Sequence, residues 1–274
     1  GFGTKAGLIP FHAWLPDAHA EAPAPISALL SGIVIKVGAY ALVRTITVFA
    51  PHYNAVVVFV AIIASVSMLV GICLALVQDD LKRMLAYSSI SQIAYVIEGI
   101  GLGTYLGIYG GLFHLLNHTI IKGLLFLTAG ALLYMMGTRS IQELQKMPKK
   151  MPITLFCFFI GALAIAGMPP FNGFLSKLTL FLAIAQRGLL WAAVIAVLTS
   201  LLTLACFVRA AYRIFWSQPA TQLASNPGIK EVPFSMWLGM GVLALLCIVI
   251  GIYPKIVYPI LDSATQCILK ILGG

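Results

Sequence analysis

From Ala55 to Val77 the chain runs 23 residues without a charged side chain. At about 1.5 Å of rise per residue, an α-helix of that length outspans the roughly 30 Å hydrocarbon core of a bilayer. Comparable runs fill most of the sequence. Ile26 to about Ala50 follows Pro23 and Pro25 and stops at Pro51-His52; Leu81–Ile100 follows Gln78-Asp79-Asp80; Tyr105–Met136 is long enough to cross with a tilt. Beyond the basic loop Arg139–Lys150, which carries Pro148 and is closed by Pro152, come Ile153–Gln186, Leu189–Trp216 and Met236–Tyr253. Lys255–Gly274 is amphipathic and suits either the membrane surface or a poor final span. The pattern predicts an all-α polytopic transmembrane bundle of seven or eight helices.

Composition excludes the alternatives. The chain is 61% hydrophobic and 9% charged, against about 45–50% and about 25% for a soluble domain. Its net charge of +9 falls in loops or singly inside apolar runs, with no basic stripe beside an aromatic ladder, so nucleic acid is not a partner. Cys73, Cys157, Cys206, Cys247 and Cys267 include no CxxC pair and read as buried small hydrophobes, leaving no cofactor or metal expected in this chain. Residue 1 is Gly, and no signal-peptide pattern precedes the first apolar run, so the chain is expected to be part of a longer one. One set of loops collects Lys82, Arg83, Arg139, Lys146, Lys149, Lys150, Arg209, Arg213 and Lys230; the other holds Arg44, Arg187 and Lys255. Nine against three makes the first side cytoplasmic, and the Asp17–Pro25 loop goes with it.

Two apolar runs are interrupted alike. Gly7-Leu8-Ile9-Pro10-Phe11 with Leu15 and Gly167-Met168-Pro169-Pro170-Phe171 with Leu175 share the spacing G-x-x-P-F-x-x-x-L, 160 residues apart. Two proline-broken helices at equivalent places suit a duplicated transport fold, where ion sites lie at the break. Broken backbone at membrane depth is tolerated only against protein or a wet cavity.

An ionisable residue inside a span costs about 2.5–3.5 kcal/mol on insertion scales, so each requires a reason. Lys36 sits ten residues into its helix, Lys122 lies near the middle of Tyr105–Met136, and Lys5 and Lys177 flank the two breaks. Snorkelling to the interface is the plain alternative for Lys5 and Lys177. His114, His118 and Lys122 are spaced i, i+4, i+8 and share one helix face, a polar strip about 12 Å long. Imidazole takes up and releases protons near neutrality, so the strip can relay them. Two histidines packing helices together, or one shared metal ion, are the other readings. Glu98 is the one acid well inside an apolar run. Four deep lysines thus face one deep carboxylate, and partner carboxylates from elsewhere or neutral lysines are implied.

At these residues the chain resembles a known family. The run from Gly3-Thr4-Lys5 through Pro10-Phe11-His12-Ala13-Trp14-Leu15-Pro16-Asp17 to His19-Ala20-Glu21-Ala22-Pro23 is similar to the signature of antiporter-like, proton-translocating membrane subunits. These occur in respiratory complex I, energy-converting membrane-bound hydrogenases, formate hydrogenlyase and Mrp antiporters. Ser31-Gly32 through Lys36 to Tyr40 with Arg44, Asp80-Leu81-Lys82-Arg83 through Ser88-Ser89, Phe113-His114 through His118 with Lys122, and Gly173-Phe174-Leu175-Ser176-Lys177 follow in family order. The resemblance implies a fourteen-helix fold of two inverted repeats, entered here at the broken seventh helix: 1–50 would end the first repeat, 51–216 form the second with Ile153–Gln186 as the broken twelfth helix, and 217–274 supply a C-terminal helix and amphipathic tail. It implies that Lys5 is the central lysine of a first half-channel, Lys36 a connecting lysine, His114, His118 and Lys122 a relay, and Lys177 its terminal residue. Six helices, and the glutamate that pairs with the lysine at the Lys5 position, would come from a preceding segment or a separate chain.

The function implied is ion translocation, of protons first, in a multi-pass membrane subunit of a redox-driven complex, itself without a redox centre, most simply in a prokaryotic cell membrane. Other membrane subunits and lipid are the expected partners. A secondary sodium/proton antiporter subunit is the alternative, and a scaffold with no ion path is the third reading.

Overall fold

The computed structural model describes residues 1–49, 54–144, 151–215 and 230–271. The division points expected at 50–51 and 216–217, the Pro51-His52 stop, Pro148, and the basic residues Lys146, Lys149 and Lys150 lie outside the described residues. Within them, the regular elements are helices in the order α1 (Phe2–Ala6), α2 (Trp14–Glu21), α3 (Ala24–Leu29), a π-helical turn (Leu30–Val34), α4 (Ile35–Phe49), α5 (Asn54–Val77), α6 (Leu81–Gly101) and α7 (Tyr105–Met136). There follow α8 (Ile141–Leu144), α9 (Pro152–Ala166), α10 (Asn172–Gln186), α11 (Leu190–Phe215), α12 (Phe234–Ile252), a 3-10 turn (Pro254–Ile256) and α13 (Tyr258–Ile271).

Five of these stretches are long and apolar enough to cross a membrane: Ala24–Thr45, α5, α7, α11 and α12. Their outer faces are apolar and exposed, as at Phe59 and Ile62 on α5, Leu201 on α11 and Leu245 on α12. A lipid-facing surface has this character.

Helix α6 is built differently. Lys82, Arg83, Ser88, Ser89, Ser91, Gln92 and Glu98 make it too polar for such a span, yet every residue except Arg83 and Tyr87 is buried. It is enclosed by α2, α4, α5, α7, α10 and α11. Polar side chains survive at this depth because protein, not lipid, surrounds them.

The two breaks are alike in construction. α1 ends at Gly7 with φ +77°, and α9 ends at Gly167 with φ +82°. That left-handed conformation suits glycine and stops a helix. Pro10 and Pro170 follow three residues later, and helix resumes at Trp14 and at Asn172. Where the sequence suggested a loop from Asp17 to Pro25, helix α2 continues through Glu21 and buries His19 and Ala20. Pro16 lies in the first turn, where no backbone hydrogen bond is lost, and tertiary bonds hold the polar end.

Those bonds tie one end of the bundle together. Asp80 caps α6 by accepting from the backbone N–H groups of Lys82 and Arg83 at 2.8 and 3.1 Å. The Arg139 guanidinium pairs with Asp80 at 2.6 Å and Glu21 at 3.3 Å and donates to the Ala20 carbonyl. Arg83 pairs with Asp17 at 2.7 Å, and the Lys82 ammonium donates to the Ala22 carbonyl at 2.5 Å. Arg209 and Arg213 border the same end, beside Gln78 and Ile141. Arg187 lies at the other end, donating to Asn54 at 3.1 Å. Lys82, Arg83, Arg139, Arg209 and Arg213 therefore share one end, and Arg187 lies at the other.

Candidate functional site

Burial brings five of the six predicted residues into the interior: Lys36 is 7% exposed, Lys177 2%, and His114, His118 and Lys122 are fully enclosed. A buried charge is tolerated only when its hydrogen bonds are met. Among the described residues none of the three ammonium groups meets a carboxylate; each is held by carbonyls and hydroxyls instead.

Lys36 begins the row. It follows the π-helical turn, whose hydrogen bonds reach back five residues rather than four. The Lys36 ammonium folds back along its own helix and donates to the Gly32 and Ser31 carbonyls at 2.6 and 3.3 Å. Ser31 then meets Ser89 of α6, hydroxyl to hydroxyl, at 2.9 Å. The Ser89 hydroxyl donates to the Leu85 carbonyl at 3.0 Å. The Lys122 ammonium donates to that same carbonyl at 2.8 Å and to the Ser88 hydroxyl at 2.6 Å. It also stands 5.7 Å from the centre of the Phe207 ring. Lys36 and Lys122 thus bond to one cluster, made of the Ser31 and Leu85 carbonyls and the Ser31 and Ser89 hydroxyls.

From Lys122 the strip on α7 continues. The His114 and His118 rings are 6.5 Å apart between centres. Neither His118 nitrogen nor His114 Nε2 has a protein partner, although buried polar atoms are nearly always paired, with protein or with water. His114 Nδ1 is 3.0 Å from the Ser176 hydroxyl, on the residue before Lys177. The Lys177 ammonium donates to the Ile165 and Ala166 carbonyls at 2.8 and 3.4 Å and to the Ser200 hydroxyl at 3.2 Å. These carbonyls close α9 at the second break, where the partial negative charge of a helix end favours a cation. The break thereby supplies the acceptors that an unbroken helix would have used internally. Beside the row, Asn117 donates to the Asn172 carbonyl at 2.9 Å and its own amide oxygen accepts from Asn172 at 3.0 Å, stitching α7 to the start of α10.

Lys5 stands apart. It is exposed on α1, and its ammonium has no partner among the described residues. The residues of the row to which the sequence assigned no role are Ser31, Ser88, Ser89, Ser176 and Ser200, together with Tyr95. The Tyr95 ring lies 5.6 Å from His114 and 5.4 Å from the Lys177 ammonium, and its hydroxyl donates to the Ala196 carbonyl at 2.5 Å. His19, buried and stacked 4.6 Å from Phe126, is a further enclosed imidazole.

Hydroxyls can donate or accept, so Ser88, Ser176 and Ser200 can serve a neighbour in either protonation state, whereas carbonyls only accept. A polytopic α-helical membrane protein with an enclosed row of lysines and histidines is the class that fold and site define. The family model described as NADH:quinone oxidoreductase/Mrp antiporter, TM, matches residues 1–203, and the chain belongs to this family. It is 36% identical, over 92% of its length, to NADH-quinone oxidoreductase subunit N of Desulforudis audaxviator, and covers 53% of that protein. It is 37% identical, over 79% of its length, to an Na(+)/H(+) antiporter subunit of Alkalihalophilus pseudofirmus, covering 44% of it. In the solved membrane-bound sulfane sulfur reductase, described as an archaeal respiratory membrane complex, one chain superposes with a TM-score of 0.89 at 31% identity. That match covers 99% of this chain and 55% of the other. The chain spans about half the length of the relatives it matches.

Proposed function

We propose that this chain is an ion-translocating membrane subunit of a redox-driven complex, such as a membrane-bound hydrogenase or complex I, and that it carries no redox centre itself. Protons move along Lys36, Lys122, His118, His114 and Lys177, with water bridging the imidazoles. Lys5 serves a first half-channel completed by six helices from a preceding segment or a separate chain. Other membrane subunits are its partners and lipid covers its apolar faces.

The observation that carries this reading is the enclosure of all three ammonium groups and both imidazoles in protein, with Lys36 and Lys122 bonded to one cluster around Ser31, Ser89 and Leu85. Three lysines kept from water without carboxylates are expensive to maintain for packing alone. Repulsion between like charges gives them a use: protonating one favours discharge of the next. Lys177→Met keeps a similar volume without the ammonium. It is expected to abolish proton uptake by the complex in reconstituted vesicles while leaving subunit composition unchanged. Wild-type uptake by that variant would remove the assignment. The second reading, a sodium/proton antiporter subunit without redox coupling, draws on the similarity to the antiporter of Alkalihalophilus pseudofirmus. Copurifying subunits that carry iron–sulfur or nickel–iron centres decide for the first reading, and their absence for the second.

A further inference from the structure

Glu98 is the one buried acid among the eight in the chain, 1% exposed, and neither carboxyl oxygen meets a donor. Its position on α6 explains what it faces. Ser88, Ser91, Tyr95 and Glu98 recur at spacings of three, four and three, which places them along one side of the helix. That side begins where Lys122 bonds Ser88. It passes Tyr95, whose ring meets both His114 and the Lys177 ammonium. Glu98 lies one turn, about 5 Å, further from the Lys82 end.

Neighbouring helices bring more hydroxyls to the same region. α5 packs on α6 with Gly71 against Ser91 and Val60 against Gly101. This antiparallel register puts Ala64 and Ser65 level with Glu98. On α11, Thr199 lies one turn from Ala196, the acceptor of the Tyr95 hydroxyl. The hydroxyls of Ser65, Ser91 and Thr199 are buried and, like Glu98, lack a protein partner. Buried polar atoms are nearly always paired, with protein or with water, so these hydroxyls and the Glu98 carboxyl mark an interface suited to bound water.

We propose that Glu98 is a proton-binding carboxyl that extends the row beyond Lys177 toward the end of the bundle opposite Lys82. The inference rests on the translocation reading above. An ammonium at Lys177 gives its proton, by way of the Tyr95 side, to the Glu98 carboxylate, leaving a neutral amine and a neutral acid. The acid then releases the proton toward the end of the bundle opposite Lys82, and the carboxylate is restored. Net charge in the enclosed region falls by one when the proton leaves and is restored when the next proton from His114 reaches Lys177.

The test uses the intact complex in phospholipid vesicles. Dicyclohexylcarbodiimide adds to a protonated carboxyl in an apolar setting and leaves a stable acylurea, which peptide mass spectrometry locates. Glu98 is expected to carry the label at neutral pH, with or without sodium ions present. Glu98→Gln is expected to abolish labelling at that position and to lower proton uptake by roughly a hundredfold, the low end for a positioned proton-transfer group. Glu98→Asp should retain part of the uptake. An unlabelled Glu98, labelling prevented by sodium, or wild-type uptake by Glu98→Gln would each overturn the proposal. Lys177→Met, assayed in parallel, separates the two readings. If it is inactive while Glu98→Gln pumps normally, only the role of Glu98 falls; if both pump normally, the translocation row falls with it.

Discussion

Serine hydroxyls set how the buried lysines can work. Lys122 has one carbonyl and one hydroxyl partner, and Lys177 two carbonyls and one hydroxyl. A hydrogen bond to a charged group contributes about 1.5–3 kcal/mol, so Ser88→Ala should shift the balance at Lys122 and slow proton uptake by roughly tenfold or more. Ser88→Thr, which keeps the hydroxyl, should restore most of the rate in the same vesicle assay. Lys177→Glu is expected to retain partial uptake, since a carboxylate at that position also binds and releases a proton; uptake as low as that of Lys177→Met would count against a carrier role there. The lysines and histidines were legible from the sequence because their depth in apolar runs has a cost. The serines were not, since serine is unremarkable on a membrane helix and its partner is remote: Ser88 and Lys122 are 34 positions apart. Lys5 was legible as a deep charge, but its exposed side on α1 depends on packing that no run of residues reveals.

The approach of α6 to α7 decides whether Tyr95 reaches His114. These helices meet across Gly99, Gly107 and Gly111, a small-residue seam of the kind that lets membrane helices approach closely. A Cβ at Gly107 would collide with the Gly99 carbonyl oxygen, and backbone offers no easy retreat. Gly107→Ala should therefore push the helices apart and destabilise the protein by about 1–3 kcal/mol, read as a lower thermal midpoint in detergent. An unchanged midpoint would mean that the contact yields freely. The cap on α6 predicts a second loss at the charged end. Asp80→Ala removes the acceptor of two backbone N–H groups and the Arg139 pair, and the cap alone accounts for about 0.5–2 kcal/mol. The same thermal measurement checks it. Both breaks were legible as Gly and Pro at matching spacing. The helical course of α2 was not, because charges that usually mark a loop are here satisfied by Arg83 and Arg139 from distant segments.

For the whole molecule, loop charge predicts a sidedness, and Arg83 and Arg139 meet Asp17, Glu21 and Asp80 at one end of the bundle. The enclosure of α6 was not legible, since a moderately polar run can border lipid, water or other helices, and only the assembled bundle decides. Orientation itself has a direct check. In a background lacking the exposed Cys73 and Cys267, a cysteine at Gln142 should react with a membrane-impermeant maleimide from the cytoplasmic side, and one at Arg187 from the opposite side. The reverse pattern would invert the assignment. The enclosure of α6 also bears on how the protein is made. A segment carrying Lys82, Arg83 and Glu98 has little reason to remain in lipid by itself, since a charge within a span opposes insertion by up to about 2.5–3.5 kcal/mol. It enters a bilayer only where neighbouring helices already offer a polar seat. Nascent chains ending just after Gly101 should therefore leave α6 outside the membrane, whereas chains extended through α7 should hold it, as engineered glycosylation sites would report. The order of synthesis thus becomes part of the architecture: the helix at the centre of the row waits at the membrane's edge until its successors have been translated.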